Sequence, residues 1–130
     1  MRLTSVDGSV DHRLEQALEP FRFSGDLALN ATLLHGACSD FNVMTRRGAW
    51  SAEVSVVRAA CDIADADVLL LLGVAGTWHV DAGAADQDAA WRLEPDAALL
   101  WRARCGALRA TPTQPQAHAL LQVRLCQDRR

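Results

Sequence analysis

The sequence predicts an all-β domain, a sandwich or barrel of short antiparallel strands. Three observations lead there. Apolar and polar residues alternate with a period of two along much of the chain, the pattern of half-buried strands. Turn-forming residues recur about every 8–12 positions, the spacing of sandwiches and barrels. Ala-rich stretches such as 82–90 tolerate helix, the rival α/β reading, yet none carries an apolar stripe long enough for a core helix.

The elements follow in chain order. Leu3-Thr4-Ser5-Val6 and residues 9–14 read as a hairpin joined at Asp7-Gly8, a favoured two-residue turn because both central positions take positive φ. Residues 19–26 alternate and close in a Ser24-Gly25-Asp26 turn. Residues 40–47 are a candidate strand, and 52–59 follow after a turn at Gly48. Residues 67–72 form a continuous apolar strand, broken at 73–76, from which 77–81 return. A small acidic loop at 82–90 leads to a pair, 91–94 and 97–103, joined at Pro95-Asp96. The 111–115 stretch punctuates. A last strand at 117–126 sets Leu121, Val123 and Leu125 on one face and its arginine and glutamine on the other. With no linker and no low-complexity tail, residues 1–130 read as a single domain.

Composition bounds the function. A chain of 130 residues buries roughly two-thirds of its unfolded surface and folds without staples. Its 50% hydrophobic and 22% charged residues exclude a disordered chain. A net charge of −3 with no basic stripe argues against a nucleic-acid partner. No apolar run approaches the ~20 residues of a membrane span, and residues 1–8 lack the apolar core of an export signal. A cytoplasmic protein without a membrane partner is expected. All 13 basic residues are arginine. Compositional drift accounts for the bias as a whole, while the planar fork of arginine suits particular positions to carboxylate binding.

Cys38, Cys61, Cys105 and Cys126 show no close pairing, so no structural zinc is expected and each reads as a small buried hydrophobe. Cys38 stands apart because it precedes the polar segment below. His12, His35, His79 and His118 form no His-x-His pair, and no metal or other cofactor is expected. His12 and His118 sit in polar surroundings and read as surface; His35 and His79 are the interior candidates. Trp50, Trp78, Trp91 and Trp101 read as core and barrel-end packing.

Residues 23–47 have a texture the rest lacks. As a strand, 40–47 would project Asp40, Asn42, Met44 and Arg46 to one face and Phe41, Val43, Thr45 and Arg47 to the other. Such a polar face lines solvent or a polar pocket, because a dry core would leave it unsatisfied. In a pocket, Arg46 would be the fork for a carboxylate, Asn42 the orienting amide, and Asp40 the partner that holds the guanidinium. Two alternatives stand beside this: an edge strand with a solvated face, and an Asp40 ion pair with Arg46 or Arg47 that staples the structure.

Phe23-Ser24-Gly25-Asp26, followed by Gly36 and by Asp40, Asn42, Met44, Arg46 and Arg47, resembles the HutD/Ves family, with its F-x-G-D turn and G-x-x-x-D-x-N-x-M-x-R-R segment. Residues 69–73, Gly76 and Val80-Asp81 also fit, so the resemblance spans nearly the whole chain. It implies a cupin-type double-stranded β-helix, bicupin-like and lacking the family's N-terminal portion. It implies a bacterial cytoplasmic protein tied to histidine utilisation, acting by regulation or small-ligand binding rather than catalysis. Formylglutamate, formiminoglutamate or urocanate is then the ligand class, with Asp40, Asn42, Met44, Arg46 and Arg47 as ligand-binding residues and Phe23, Gly25, Asp26 and Gly36 as motif residues. A sheet edge left open by the shorter N-terminus would be covered by pairing, which predicts a homodimer. The competing expectation is a metal-dependent cupin enzyme acting on a small acid, with His35, His79, Glu53 and Asp40 as its available ligands.

Overall fold

The computed structural model describes residues 1–82, 89–104, 106–114 and 117–128. Among them run eleven strands, every pairing antiparallel, and no helix. The chain divides into two compact units, Met1–Met44 and Thr45–Arg130.

The first unit is built on a three-stranded sheet of order β2-β1-β3, with β1 at Arg2–Ser5, β2 at Asp11–Arg13 and β3 at Leu29–Thr32. The expected hairpin is present, but residues 6–10 join it as a wider loop than the two-residue turn. Hydroxyl chemistry explains the difference. Ser5 Oγ accepts from Val10 N at 2.8 Å, and Asp7 Oδ1 accepts from Ser9 N at 3.0 Å and Ser9 Oγ at 2.7 Å. These bonds tie up backbone donors that a tighter turn would have paired across the ladder. Gly8 takes the one positive φ in this loop, 74°.

Two expected strands of this region are absent. Residues 19–26 form no strand. Pro20 lacks an amide donor, and Phe21 stacks on His12 with ring centroids 3.9 Å apart and on Phe23 at 5.8 Å. The Ser24-Gly25-Asp26 turn is present, closed by Leu27 N donating to Ser24 O at 3.2 Å. Residues 40–47 also form no strand. Their polar side chains bond locally instead, Asn42 Nδ2 donating to Asp40. The chain then turns, with Ala49 N and Trp50 N both donating to Arg46 O and Gly48 at φ 71°.

The second unit interleaves two four-stranded sheets. One has the order β4-β11-β6-β9 and the other β5-β10-β7-β8. The strands are β4 (Trp50–Val57), β5 (Cys61–Ile63), β6 (Val68–Ala75), β7 (Trp78–Asp81), β8 (Ala90–Leu93), β9 (Ala98–Trp101), β10 (Leu108–Pro112) and β11 (Ala119–Gln127). First pairs with last throughout: β4 with β11, β5 with β10, β6 with β9, β7 with β8. This nested order is an eight-stranded jelly roll, the double-stranded β-helix.

Its interior is apolar at the centre. Ile63, Leu69, Leu71, Trp78, Val80, Leu93, Leu108 and Leu120 are fully buried. Trp91 meets Trp101 edge-on at 5.3 Å, the expected barrel packing of tryptophan. The outer face of the β5-β10-β7-β8 sheet is polar: Arg109 pairs with Asp62 at 2.6 Å, and His79 and Arg92 lie opposite each other.

β6 runs past the expected break, because Gly73 is needed for packing rather than for a turn. A Cβ there would collide with the carbonyl oxygen of Glu94, whose turn is bonded to Gly73 through Ala97 O and Asp96 N. β10 lies where Pro112 suggested punctuation. Pro112 is tolerated because β5 pairs only with residues 108–110, so the end of β10 has a partner on one side alone. Of the acidic loop at 82–90, residues 83–88 lie outside the described residues, as does Cys105.

The histidine assignments reverse. His118 is 6% exposed and His12 is half-buried, while His35 and His79 are exposed. His79 alternates with Trp78 and Val80, which claim the interior of β7. Cys61 and Cys126 are half-buried, but Cys38 is exposed.

Candidate functional site

The motif residues lie outside the packed core. Every residue from 30 to 42 is exposed, as are Met44, Arg46 and Arg47. Met44, expected to line a pocket, is 89% exposed. Asp40 and Asn42 share a hydrogen bond in the first unit. Arg46 and Arg47 belong to the second, where the Arg46 carbonyl anchors the Gly48 turn. Gly36 adopts φ 92°, a conformation that favours glycine. Phe23 caps the His12–Phe21–Phe23 stack, and Asp26 N donates to Ser24 Oγ at 3.3 Å.

One depression of about 220 Å³ lies in the first unit, lined by Val6, Asp7, Asp26, Leu27 and Ala28. Asp26 is therefore the expected motif residue that borders a concavity. Asp7 joins it from the β1–β2 loop, a residue the sequence marked only as a turn former. Hydrogen bonds from Ser5 and Ser9 hold the Asp7 carboxyl down at about 2, so it is anionic throughout the ordinary pH range.

The candidate metal ligands do not gather. His79 projects from the outer face of β7, while Glu53 shares the inner row of β4 with Arg124 and pairs with it at 2.8 Å. His35 and Asp40 are exposed in the first unit. Among the described residues, no three His, Cys, Asp or Glu side chains come together as a metal site would require.

The sequence also missed a polar strip on the jelly-roll wall. Gln122 and Arg124 of β11 stand opposite Leu71 and Leu69 of β6. Residues directly opposite in a ladder share a face, and both leucines belong to the core. The polar side of β11 is thus the inner side, while Leu121 and Val123, also buried, occupy the outer face.

These features define the class: an all-β protein whose second unit is a complete cupin-type double-stranded β-helix, with its motif residues displayed on a loop. The HutD family model matches residues 1–120, and the chain belongs to the HutD family. Among solved structures, it is similar to a cupin superfamily protein from Desulfitobacterium hafniense DCB-2, at 13% identity over 64% of this chain and 72% of that one, with a TM-score of 0.43. It is also similar to a cupin-2 domain containing protein from Shewanella frigidimarina NCIMB 400, at 11% identity over 63% and 76% of the two chains, with a TM-score of 0.42. No curated protein matches the sequence.

Proposed function

We propose that this HutD-family protein binds a small carboxylate and regulates histidine utilisation without catalysing a reaction. The carrying observation is the exposure of Asp40, Asn42, Met44 and Arg46. Side chains that pack nothing in the core are free to serve recognition, and a loop positioned by a rigid scaffold is where binding residues concentrate. Arg46 or Arg47 supplies the guanidinium fork for the carboxylate. The ligand class is a histidine-breakdown intermediate: formylglutamate, formiminoglutamate or urocanate. The protein is read as a cytoplasmic homodimer, and among the described residues no helix is long and apolar enough to cross a membrane.

Thermal unfolding with each of the three intermediates tests the proposal. A ligand at a hundred times its Kd stabilises by about 2.7 kcal/mol, so one of them raises the midpoint. No shift with any of them, in folded protein, overturns the reading. Sedimentation at high protein concentration tests the dimer, which a single monomeric species refutes.

A further inference from the structure

β4 is the outermost strand of its sheet, and among the described residues no strand lies on the side away from β11. At eight residues it is the longest sheet edge among them; β8 and β9 have four and β5 three. Natural edges are blunted by proline, by lysine, by bulges or by being short. β4 holds no proline, glycine or lysine, and its register against β11 is unbroken. Its one charge, Glu53, is engaged by Arg124 of the same chain at 2.8 Å.

The unpaired groups can be named. Asp128 N donates to Ala49 O at 2.9 Å, one step beyond the Trp50–Gln127 pair. An antiparallel ladder exchanges bonds at every second pair. The odd-numbered residues of β4 therefore bond to β11, and the N–H and C=O groups of Ala52, Val54 and Val56 point away from it. Their side chains stand beside Leu125, Val123 and Leu121 on the outer face of the sheet. A row of backbone donors and acceptors thus runs beside an uncharged apolar surface.

A second copy of the same strand fits this edge. When a strand pairs antiparallel with its own copy about a two-fold axis, each residue meets one of the same face and the same backbone direction. Donors then match acceptors along the junction, and the apolar face continues across it. An axis at Glu53 or at Val54 uses most of the strand. At Glu53 it sets two like charges directly opposite each other, which destabilises. At Val54 it pairs residues 51–57, with Ala52 opposite Val56 and Glu53 opposite Ser55, whose hydroxyl can donate to the carboxylate. Charge therefore selects the Val54 register.

We infer that two copies join through β4 about a two-fold axis at Val54, merging their β4-β11-β6-β9 sheets into one. The inference rests on the homodimer of the proposed function and names its interface; it does not depend on carboxylate binding.

Sedimentation velocity of the full chain tests it. Val54→Lys places charge on the axis, and Leu100→Lys, at a side chain 53% exposed on the opposite edge of the same sheet, is the control. Wild type and Leu100→Lys sediment as dimers. Val54→Lys keeps the wild-type circular dichroism and raises the dimer dissociation constant at least about tenfold. Under oxidation, Val54→Cys links to its own counterpart, whose Cα lies about 5.5 Å away. Ala52→Cys, which faces Val56, does not link to itself; peptide mapping identifies the joined residues. A dimer that survives in folded Val54→Lys, that is lost equally in Leu100→Lys, or that crosslinks at position 52 overturns the interface and leaves the homodimer standing. A monomeric wild type overturns both. Should Val54→Lys fail to fold, the Val54→Cys crosslink decides in favour and its absence decides against.

Discussion

The imidazole of His118 lies where Gly76 has no side chain: a Cβ on Gly76 would collide with His118 Cδ2. Gly76 also holds φ 66° at the turn from β6 to β7. His118 stands just before β11 and meets Trp78 edge-on at 5.7 Å, so one glycine admits the residue that launches the last strand. Gly76→Ala combines a positive-φ penalty of about 1–2 kcal/mol with overpacking of about 1–3 kcal/mol. The urea midpoint falls with the slope unchanged, and adding His118→Ala recovers the overpacking part. Failure of the double variant to recover stability would show that the imidazole is not the obstacle.

Gly73 provides the contrast. Its obstacle is the backbone oxygen of Glu94, not a side chain. Gly73→Ala therefore destabilises by about 1–3 kcal/mol, and truncating Glu94 to alanine gives no relief. Urea unfolding of the single and double variants checks this; rescue by Glu94→Ala would contradict it.

Asp7 sets a pH dependence. Its folded value lies near 2 against an ordinary 3.8, held down by Ser5 first and then Ser9. A lowered carboxyl value favours the folded state at pH above the ordinary value, and that contribution disappears as pH falls from about 4 toward 2. Carbon NMR of the Asp7 carboxyl places its midpoint near 2, and Ser9→Ala moves it upward. An unmoved midpoint in Ser9→Ala would assign the shift elsewhere.

Glu94 behaves in the same direction, lowered by the Thr77 hydroxyl at 2.6 Å and then by Arg92. Thr77→Val removes the larger cause. The Glu94 midpoint then rises toward the ordinary carboxylate range, and its share of stability begins to fade at higher pH as acid is added. A carboxyl titration that stays low in Thr77→Val would leave Arg92 as the dominant partner.

Arg46 separates binding from stapling. Its side chain is exposed, so Arg46→Ala changes stability by no more than about 0.5 kcal/mol. That variant or Arg47→Ala abolishes the thermal shift given by the carboxylate ligand. A large loss of stability with ligand response intact would make Arg46 a structural staple.

Alternation and turn residues located β4, β7, β8, β9 and β11, and a continuous apolar run located β6. Alternation failed at 40–47, where Asp40 and Asn42 satisfy each other and no partner strand offers an edge. β3 was hidden in small residues, Leu29-Asn30-Ala31-Thr32, whose pairing with β1 comes from neighbours in space. The reversal of His79 and His118 has the same root. Trp78 and Val80 decide which side of β7 is inside, and Gly76 makes room for His118. The motif residues were legible as identities, while the choice between a solvated face and a pocket stayed open in the sequence. Nor was the inward side of β11, since apolar residues cover both of its faces: Leu120 inside, Leu121 and Val123 outside.

The nesting of first strand with last has a consequence for biosynthesis. Ser51 bonds the carbonyl of Cys126 across 75 positions of chain, and β11 is the shared neighbour of both β4 and β6. While the chain is emerging from the ribosome, β4 and β6 must wait with their edges toward β11 bare, because their common partner is made after both. Loop-closure entropy over such separations slows folding, and bare edges invite pairing with other nascent chains. Shortening the protein within β11 would therefore not trim one strand; it would leave β4 without a neighbour and β6 with β9 alone, and the barrel unable to close.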